Sequence, residues 1–313
     1  MKAMREAYGE ALVELGKKNS KVVVLDADVS SSTRSTLFGQ AFPDRFFNIG
    51  IAEGNMAAIA AGFTLAEKIP FINTFAFLMA VRATDSIRSL IAYNKLNVKA
   101  VGAYGGLSDS YDGASHQAIE DVSIMRSLPN LTVVVPSDEY SARASVAAVA
   151  EYFGPVYLRL SRAEAPPVYS ADNCPFIIGK GNVLAEGKNV TIIANGYMVH
   201  RALQAREILL AEGIDAEVID MHTVKPIDSE LVIKSATKTG AVVTVEEATI
   251  IGGLGSAVAE VLVMNQPVPM EFVGVKDVFG ESGDYHKLLA KFGLDTPSIV
   301  EAVRRVIARK SSN

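Results

Sequence analysis

The chain has 313 residues, 49% of them hydrophobic and 21% charged, with a formal net charge of −5. That length accommodates two domains with a core each, and the acidic balance argues against nucleic acid or an anionic membrane surface as the main partner. Cys174 is the single cysteine, which excludes an internal disulfide and a cysteine-based zinc site and fits a reducing compartment.

The first predicted element is a helix over 1–18 that carries charges throughout, unlike a secretory signal, and no apolar run approaches the ~20 residues of a membrane span. The cytoplasm is the expected location. Short runs follow that are apolar through most of their length: "KVVVLDADV", "RFFNIG", "KIPFINTF", "VKAVGAY", "LTVVVPSD" and "PVYLRLS". Such runs suit a parallel sheet covered on both faces. Helical patterns over roughly 54–67, 80–94, 116–127 and 138–152 alternate with them, which predicts an α/β domain over 1–165. A stretch rich in proline, glycine and small residues comes next, and a linker is placed at 166–186.

Residues 187–313 read as a second, smaller α/β unit. "NVTIIANG", "DAEVIDMH", "GAVVTVEE" and "MEFVGVKD" are its strands. In the helix after "NVTIIANG", Val199, Ala202, Leu203, Leu209 and Leu210 share a face, and Gly213 is placed to cap its end. Thr296 and Pro297 look like the cap and first position of the last helix.

Glu53 is the most informative residue, being the only charged side chain between Arg45 and Glu67. It is either a solvated helix-start carboxylate or a buried one held for a ligand nitrogen or for proton transfer, since burying an unpaired carboxylate costs several kcal/mol. His116 follows Asp112, Gly113 and Ser115, with Ser115 placed to cap a helix whose N-terminal field favours an uncharged ring. A neutral ring there suits hydrogen bonding to hydroxyls or shuttling a proton, or Asp112 and His116 merely organise the turn and the cap. "DADVSSSTR" is a strand end followed by hydroxyls, where open α/β sheets bind ligands. Arg5 and Arg162 are candidate phosphate forks. "IGGLGS", 251–256, resembles a phosphate cradle but lacks the dinucleotide spacing, and tight strand–helix packing explains it better. His200, His222 and His286 stand alone and read as structural or surface residues.

Together with "TFAFLMAVRATDSIR", "VVVPSD", "LRLSRAE", "VTVEEATIIGGLGSA" and "FGESGDYHKLLAKFGLD", these stretches resemble the C-terminal half of a transketolase over nearly the whole chain. The specific part is "GIAEGNM" followed about 60 residues later by "DGASHQAIED". The resemblance implies a pyrimidine-binding α/β domain followed by a smaller transketolase C-terminal α/β domain. The "GDG" pattern with a later asparagine, which holds Mg²⁺ and the diphosphate in this family, occurs nowhere in the chain. The resemblance is therefore to the second subunit of a split enzyme. It implies thiamine diphosphate as cofactor and Mg²⁺ held by a separate N-terminal, diphosphate-binding subunit. It also implies two copies of each subunit, sugar phosphates as ligands, and neither nucleic acid nor membrane as a partner.

Residue by residue, Glu53 matches the glutamate that hydrogen-bonds N1′ of the cofactor's aminopyrimidine and so promotes the tautomer that takes the thiazolium proton. Phe75 matches the aromatic that packs on the pyrimidine, and Asp28 and Ile51 match residues near the thiazolium. Asp112 and His116 match the pair that binds the donor's hydroxyls, with His116 also guiding protons. Arg5, Ser32 and Arg162 match positions that grip the sugar phosphate. Two positions depart from the family: Tyr104 aligns near a phosphate-holding histidine, and Leu78 replaces a second pocket aromatic. The activity implied is transfer of a two-carbon ketol unit from a ketose phosphate to an aldose phosphate, within pentose phosphate metabolism and only in the assembled complex. A deoxyxylulose-phosphate synthase-like enzyme, a 2-oxo-acid dehydrogenase beta subunit and a non-catalytic scaffold are the alternatives.

Overall fold

Val22–Asp26 (β1) is buried along its whole length in the computed structural model, which describes residues 1–310. Side chains alternate across a strand, so Val22 and Val24 enter one core while Val23 and Leu25 enter the core on the opposite face. The branched residues suit such a doubly covered pleat. The same arrangement carries β2 (Phe46–Asn48), β3 (Ile69–Phe75), β4 (Lys99–Ala103), β5 (Thr132–Val134) and β6 (Val156–Leu160). Helices Met4–Lys18 and Glu139–Glu151 fill one face, and Glu53–Leu65 with Ala76–Val81 fills the other. Asp138 and Ser141 form a reciprocal capping box at the head of Glu139–Glu151, an arrangement that typically contributes about 1 kcal/mol.

The later strands are β7 (Asn182–Ala185), β8 (Val190–Ala194), β9 (Ala216–Asp220), β10 (Thr223–Lys225), β11 (Val242–Thr249) and β12 (Met270–Val275). They form a five-stranded sheet in the order β12-β11-β8-β9-β7, with the exception of β10. That strand crosses to the first sheet, giving the order β10-β5-β6-β4-β3-β1-β2, and pairs antiparallel with β5. One apolar core runs from Val22, Val101 and Val156 of the first sheet to Ile192, Val218 and Val243 of the second. The stretch read as a linker ends in β7, an antiparallel edge strand.

Several expectations are corrected. The helix expected over 116–127 begins only at Asp121, because Ala118 exchanges backbone hydrogen bonds with Gly106 at 2.8 and 3.0 Å and holds that stretch extended. His116 instead closes a 3₁₀ turn, Gly113–Ser115, so it heads no helix and Ser115 caps none. The helix expected over 80–94 begins earlier and is interrupted, running as Ala76–Val81, Thr84–Ser86 and a π-helical Ile87–Ala92. Leu210 is 45% exposed rather than part of the core face. Asp295, not Thr296, caps the last helix by accepting from the Ser298 amide at 3.1 Å. Gly213 does end its helix, at φ +80°. No helix among the described residues is long and apolar enough to cross a membrane.

Candidate active site

The candidate residues gather at the C-terminal ends of the parallel strands of the first sheet. Phe75, Ala103 and Leu160 end β3, β4 and β6 in matched register, and the chain leaves those ends through Ala76, Tyr104 and Ser161. Loops beyond parallel strand ends are free of sheet hydrogen bonding and can present side chains to a ligand.

Glu53 is the first residue of its helix and 3% exposed. Its Oε1 is buried without a hydrogen-bond partner, and the Arg82 guanidinium lies 3.5 Å away. The carboxylate is thus partly balanced in charge while one acceptor is left unused. A buried acceptor without a donor costs roughly 1–3 kcal/mol, which a donating ligand nitrogen would recover. Ile51, two residues earlier, is 70% exposed, an apolar side chain presented outward. Asp28 adopts φ +66° after β1 and accepts from Asn48 Nδ2 at 2.8 Å. Left-handed geometry is one that aspartate tolerates.

Tyr104 organises the neighbouring cluster. Its ring stacks on Phe75 at 4.8 Å, and its hydroxyl receives a 2.6 Å hydrogen bond from Arg5 Nη1. The guanidinium carbons of Arg5 and Arg162 lie 5.4 and 5.0 Å from the ring centroid. Arg5 Nη1 also donates to the Ser32 carbonyl at 3.2 Å, so it is the backbone of Ser32 that meets the arginine. Arg162 Nη1 pairs with buried Asp109 at 2.6 Å. Burial first, then the nearby Asp112 carboxylate, pushes the Asp109 carboxyl above its usual range, while Arg162 pulls it back. Two guanidiniums thus lie against one aromatic ring, and one of them is paired with a buried carboxylate.

The His116 ring meets Phe75 edge-on at 6.0 Å, and Nδ1 lies 3.0 Å from Ser115 Oγ. Asp112 is exposed on the same turn, and Leu78 is half-buried on the short helix after Phe75. Phe75, Tyr104, His116, Arg5, Ser32 and Arg162 therefore come together. Asp28 and Ile51 sit on loops and Glu53 at the head of its helix, and among the described residues no hydrogen bond or ion pair joins them to that cluster.

The glycine-rich loop 251–256 is no phosphate cradle. Glu246 of β11 accepts from the Leu254 and Gly255 amides at 2.8 and 2.9 Å, occupying the helix N-terminus that a phosphate would need. His200 and His222 are buried, and desolvation lowers each to about 4, which keeps them uncharged structural groups. Asp109 and Arg82 escaped the sequence reading. Asp109 sits between two serines in a polar loop, and Arg82 lies inside a helical pattern, so neither carries a local signal.

Residues 1–167 match the family model for the transketolase pyrimidine binding domain and residues 179–299 that for the transketolase C-terminal domain. A solved structure described as a split-gene transketolase, an inactive beta4 tetramer, is 54% identical, covers 98% of this chain and 99% of its own, and superimposes with a TM-score of 0.92. A Methanocaldococcus jannaschii protein, provisionally described as a transketolase C-terminal section, is 47% identical over 96% of this chain and 95% of its own. The 6-deoxy-6-sulfo-D-fructose transketolase subunit SqwH of Clostridium sp. is 45% identical over 98% of this chain and 95% of its own. The chain belongs to the transketolase family and corresponds to its pyrimidine-binding and C-terminal domains, the part that split members carry as a C-terminal subunit.

Proposed function

We propose that this chain is the C-terminal subunit of a split, cytoplasmic transketolase. With a diphosphate-binding partner that also holds Mg²⁺, in a complex of two copies of each, it transfers a two-carbon ketol unit from a ketose phosphate to an aldose phosphate. The observation that carries the reading is Glu53, buried with no hydrogen bond to its Oε1, beside the C-terminal strand ends that present the Phe75–Tyr104 stack and the arginine pair. The same reading divides the chain into 1–165 and 187–313 with 166–186 between them; the presence of two sheets supports the division in outline, while β7 within 166–186 already belongs to the second sheet and β10 joins the first.

The residues fit thiamine diphosphate, the family's cofactor. Glu53 Oε1 lacks a donor, and the ring nitrogen of an aminopyrimidine would be one once protonated or in its imino form; Phe75 offers an aromatic face. The cofactor, when bound, supplies the nucleophile and electron sink for carbon–carbon cleavage. Glu53 holds and moves a proton at the pyrimidine nitrogen, where low local polarity strengthens its hydrogen bond. Asp28 and Ile51 would border the thiazolium side of the bound cofactor. His116 and Asp112 hold the donor's hydroxyls, and His116 guides their protons. Arg5, Ser32 and Arg162 grip the terminal anion, and an arginine pair takes any tetrahedral oxyanion. Sugars ending in a sulfonate are therefore a second substrate class, favoured by Tyr104 lying near where the resemblance places a phosphate-holding histidine and by the likeness to the sulfofructose transketolase subunit.

Co-expression with a diphosphate-binding subunit, followed by a ketol-transfer assay with thiamine diphosphate and Mg²⁺, tests the reading. Turnover is expected only in the complex, and Glu53→Gln is expected to lower it about 10²–10⁴-fold without preventing assembly. Turnover unchanged in the Glu53→Gln complex removes the proposed mechanism.

A further inference from the structure

The second half of the chain reaches back to the turn that carries Asp112 and His116. The loop 276–284 leaves β12 and ends at Asp284, which caps helix Tyr285–Lys291 by accepting from the Lys287 amide at 3.0 Å. Lys291 of that helix pairs with Glu281, tying the loop to its own helix. So anchored, the loop meets the Asp112–His116 turn at both ends and in the middle. The Gly283 amide donates to the Ser110 carbonyl at 2.9 Å. Gln117 Nε2 donates to the Glu281 carbonyl at 2.9 Å. Gly113, at φ +74°, lies so close to Ser282 that a Cβ on it would come within 2.3 Å of Ser282 Oγ.

Gly280 makes the tightest approach. A Cβ there would stand 1.8 Å from Gln117 Oε1 and 3.1 Å from a Leu107 methyl. Gln117 is itself buried, and its amide donates to the Gly113 carbonyl at 3.0 Å, so its side chain and backbone brace the same turn. Bonds inside the turn, the Arg162–Asp109 pair and the edge contact of His116 with Phe75 supply the other support. A 3₁₀ turn of three residues has little stability of its own, so its geometry depends on what it packs against.

We propose that loop 280–283 of the C-terminal half is a fixed strap that positions Asp112 and His116 through Gln117 and Gly113, which makes Gln117 and Gly280 positioning residues for the donor sugar. The strap follows from the contacts alone; its effect on the donor rests on the function proposed above. A group held this way loses about ten- to a hundredfold in effectiveness when displaced by about 1 Å.

The test compares wild type with Gly280→Ala, which inserts a methyl group into the contact, and Gln117→Ala, which removes the Glu281 bond without adding bulk. Amide hydrogen exchange on the full chain is expected to quicken at 110–117 by about tenfold or more, with amides of β1 and β3 unchanged. In the assembled complex the donor KM is expected to rise about tenfold while the acceptor KM stays the same, a split that general destabilisation does not produce. Unchanged exchange at 110–117 in both variants overturns the strap. Faster exchange with an unmoved donor KM, or with donor and acceptor KM rising together, overturns its link to the donor. A wild-type complex without ketol transfer strikes the proposed function instead, and the exchange comparison still decides the strap.

Discussion

Each sheet has a buried carboxylate at the start of a neighbouring helix, Glu53 at the first and Glu246 at the second, and the two are used oppositely. At the first sheet, Glu53 heads its helix with a buried, unpartnered Oε1, and Arg5 Nε is likewise buried without a partner. At the second sheet, Glu246 turns both oxygens onto the amides of helix Leu254–Asn265, and Gly253 packs against that carboxylate. The glycines that resemble a phosphate cradle are there because an internal carboxylate already fills it. Of these two helix starts, the first leaves a buried acceptor free for a ligand, and the second is scaffold because its amides are already taken.

The sharpest way to break that contrast is Gly253→Ala. Its Cβ would lie 2.1 Å from Glu246 Oε2, so the cap must open, and a loss of about 2–4 kcal/mol is expected in urea unfolding. An unchanged urea midpoint would show that the loop yields freely and is not filled scaffold.

A somewhat smaller effect is expected at Glu247, which is buried and accepts from the Leu107 amide at 2.8 Å. Burial raises its carboxyl from an ordinary value of 4.5 to about 7, with Arg159 pulling it back. The folded state then holds the proton more tightly than the unfolded chain, so this stabilisation is complete below the ordinary value and fades as pH rises through about 7. Glu247→Gln cannot titrate. The stability of wild type relative to the variant should therefore fall by roughly 2–3 kcal/mol between about pH 4 and pH 8, measured by urea unfolding at each pH. Parallel curves for the two proteins would remove the assignment.

Tyr104→Phe is the mildest of the three and probes the open end. It keeps the stack on Phe75 and loses the hydroxyl that orients Arg5. Loss of about 1 kcal/mol in affinity for a sugar phosphate, a five- to tenfold rise in KM, is expected with stability changed by less than about 0.5 kcal/mol. A KM unaffected by the substitution would show that the arginine pair holds its geometry without Tyr104.

The fold class was legible in the sequence because β1, β3, β4 and β6 are apolar through most of their length and their local pattern and tertiary burial agree. Glu53 was legible for a related reason: a single charge in a long apolar stretch is a local anomaly that needs no partner to be noticed. The turn at His116 was not. "HQAIEDVSIMRS" has a helical pattern from its first residue, but pairing of Ala118 with Gly106 and bracing of Gln117 by Glu281 override it for five residues. The same holds for Asp109 beneath Arg162 and for Glu246 inside the glycine loop, 53 and 9 residues from the groups they satisfy. By itself the sequence determined which segments must be buried, because burial depends on the side chain's own transfer free energy. Only the tertiary structure decided which polar groups are satisfied and which are left open, because a hydrogen bond or an ion pair belongs to two residues that local pattern cannot bring together.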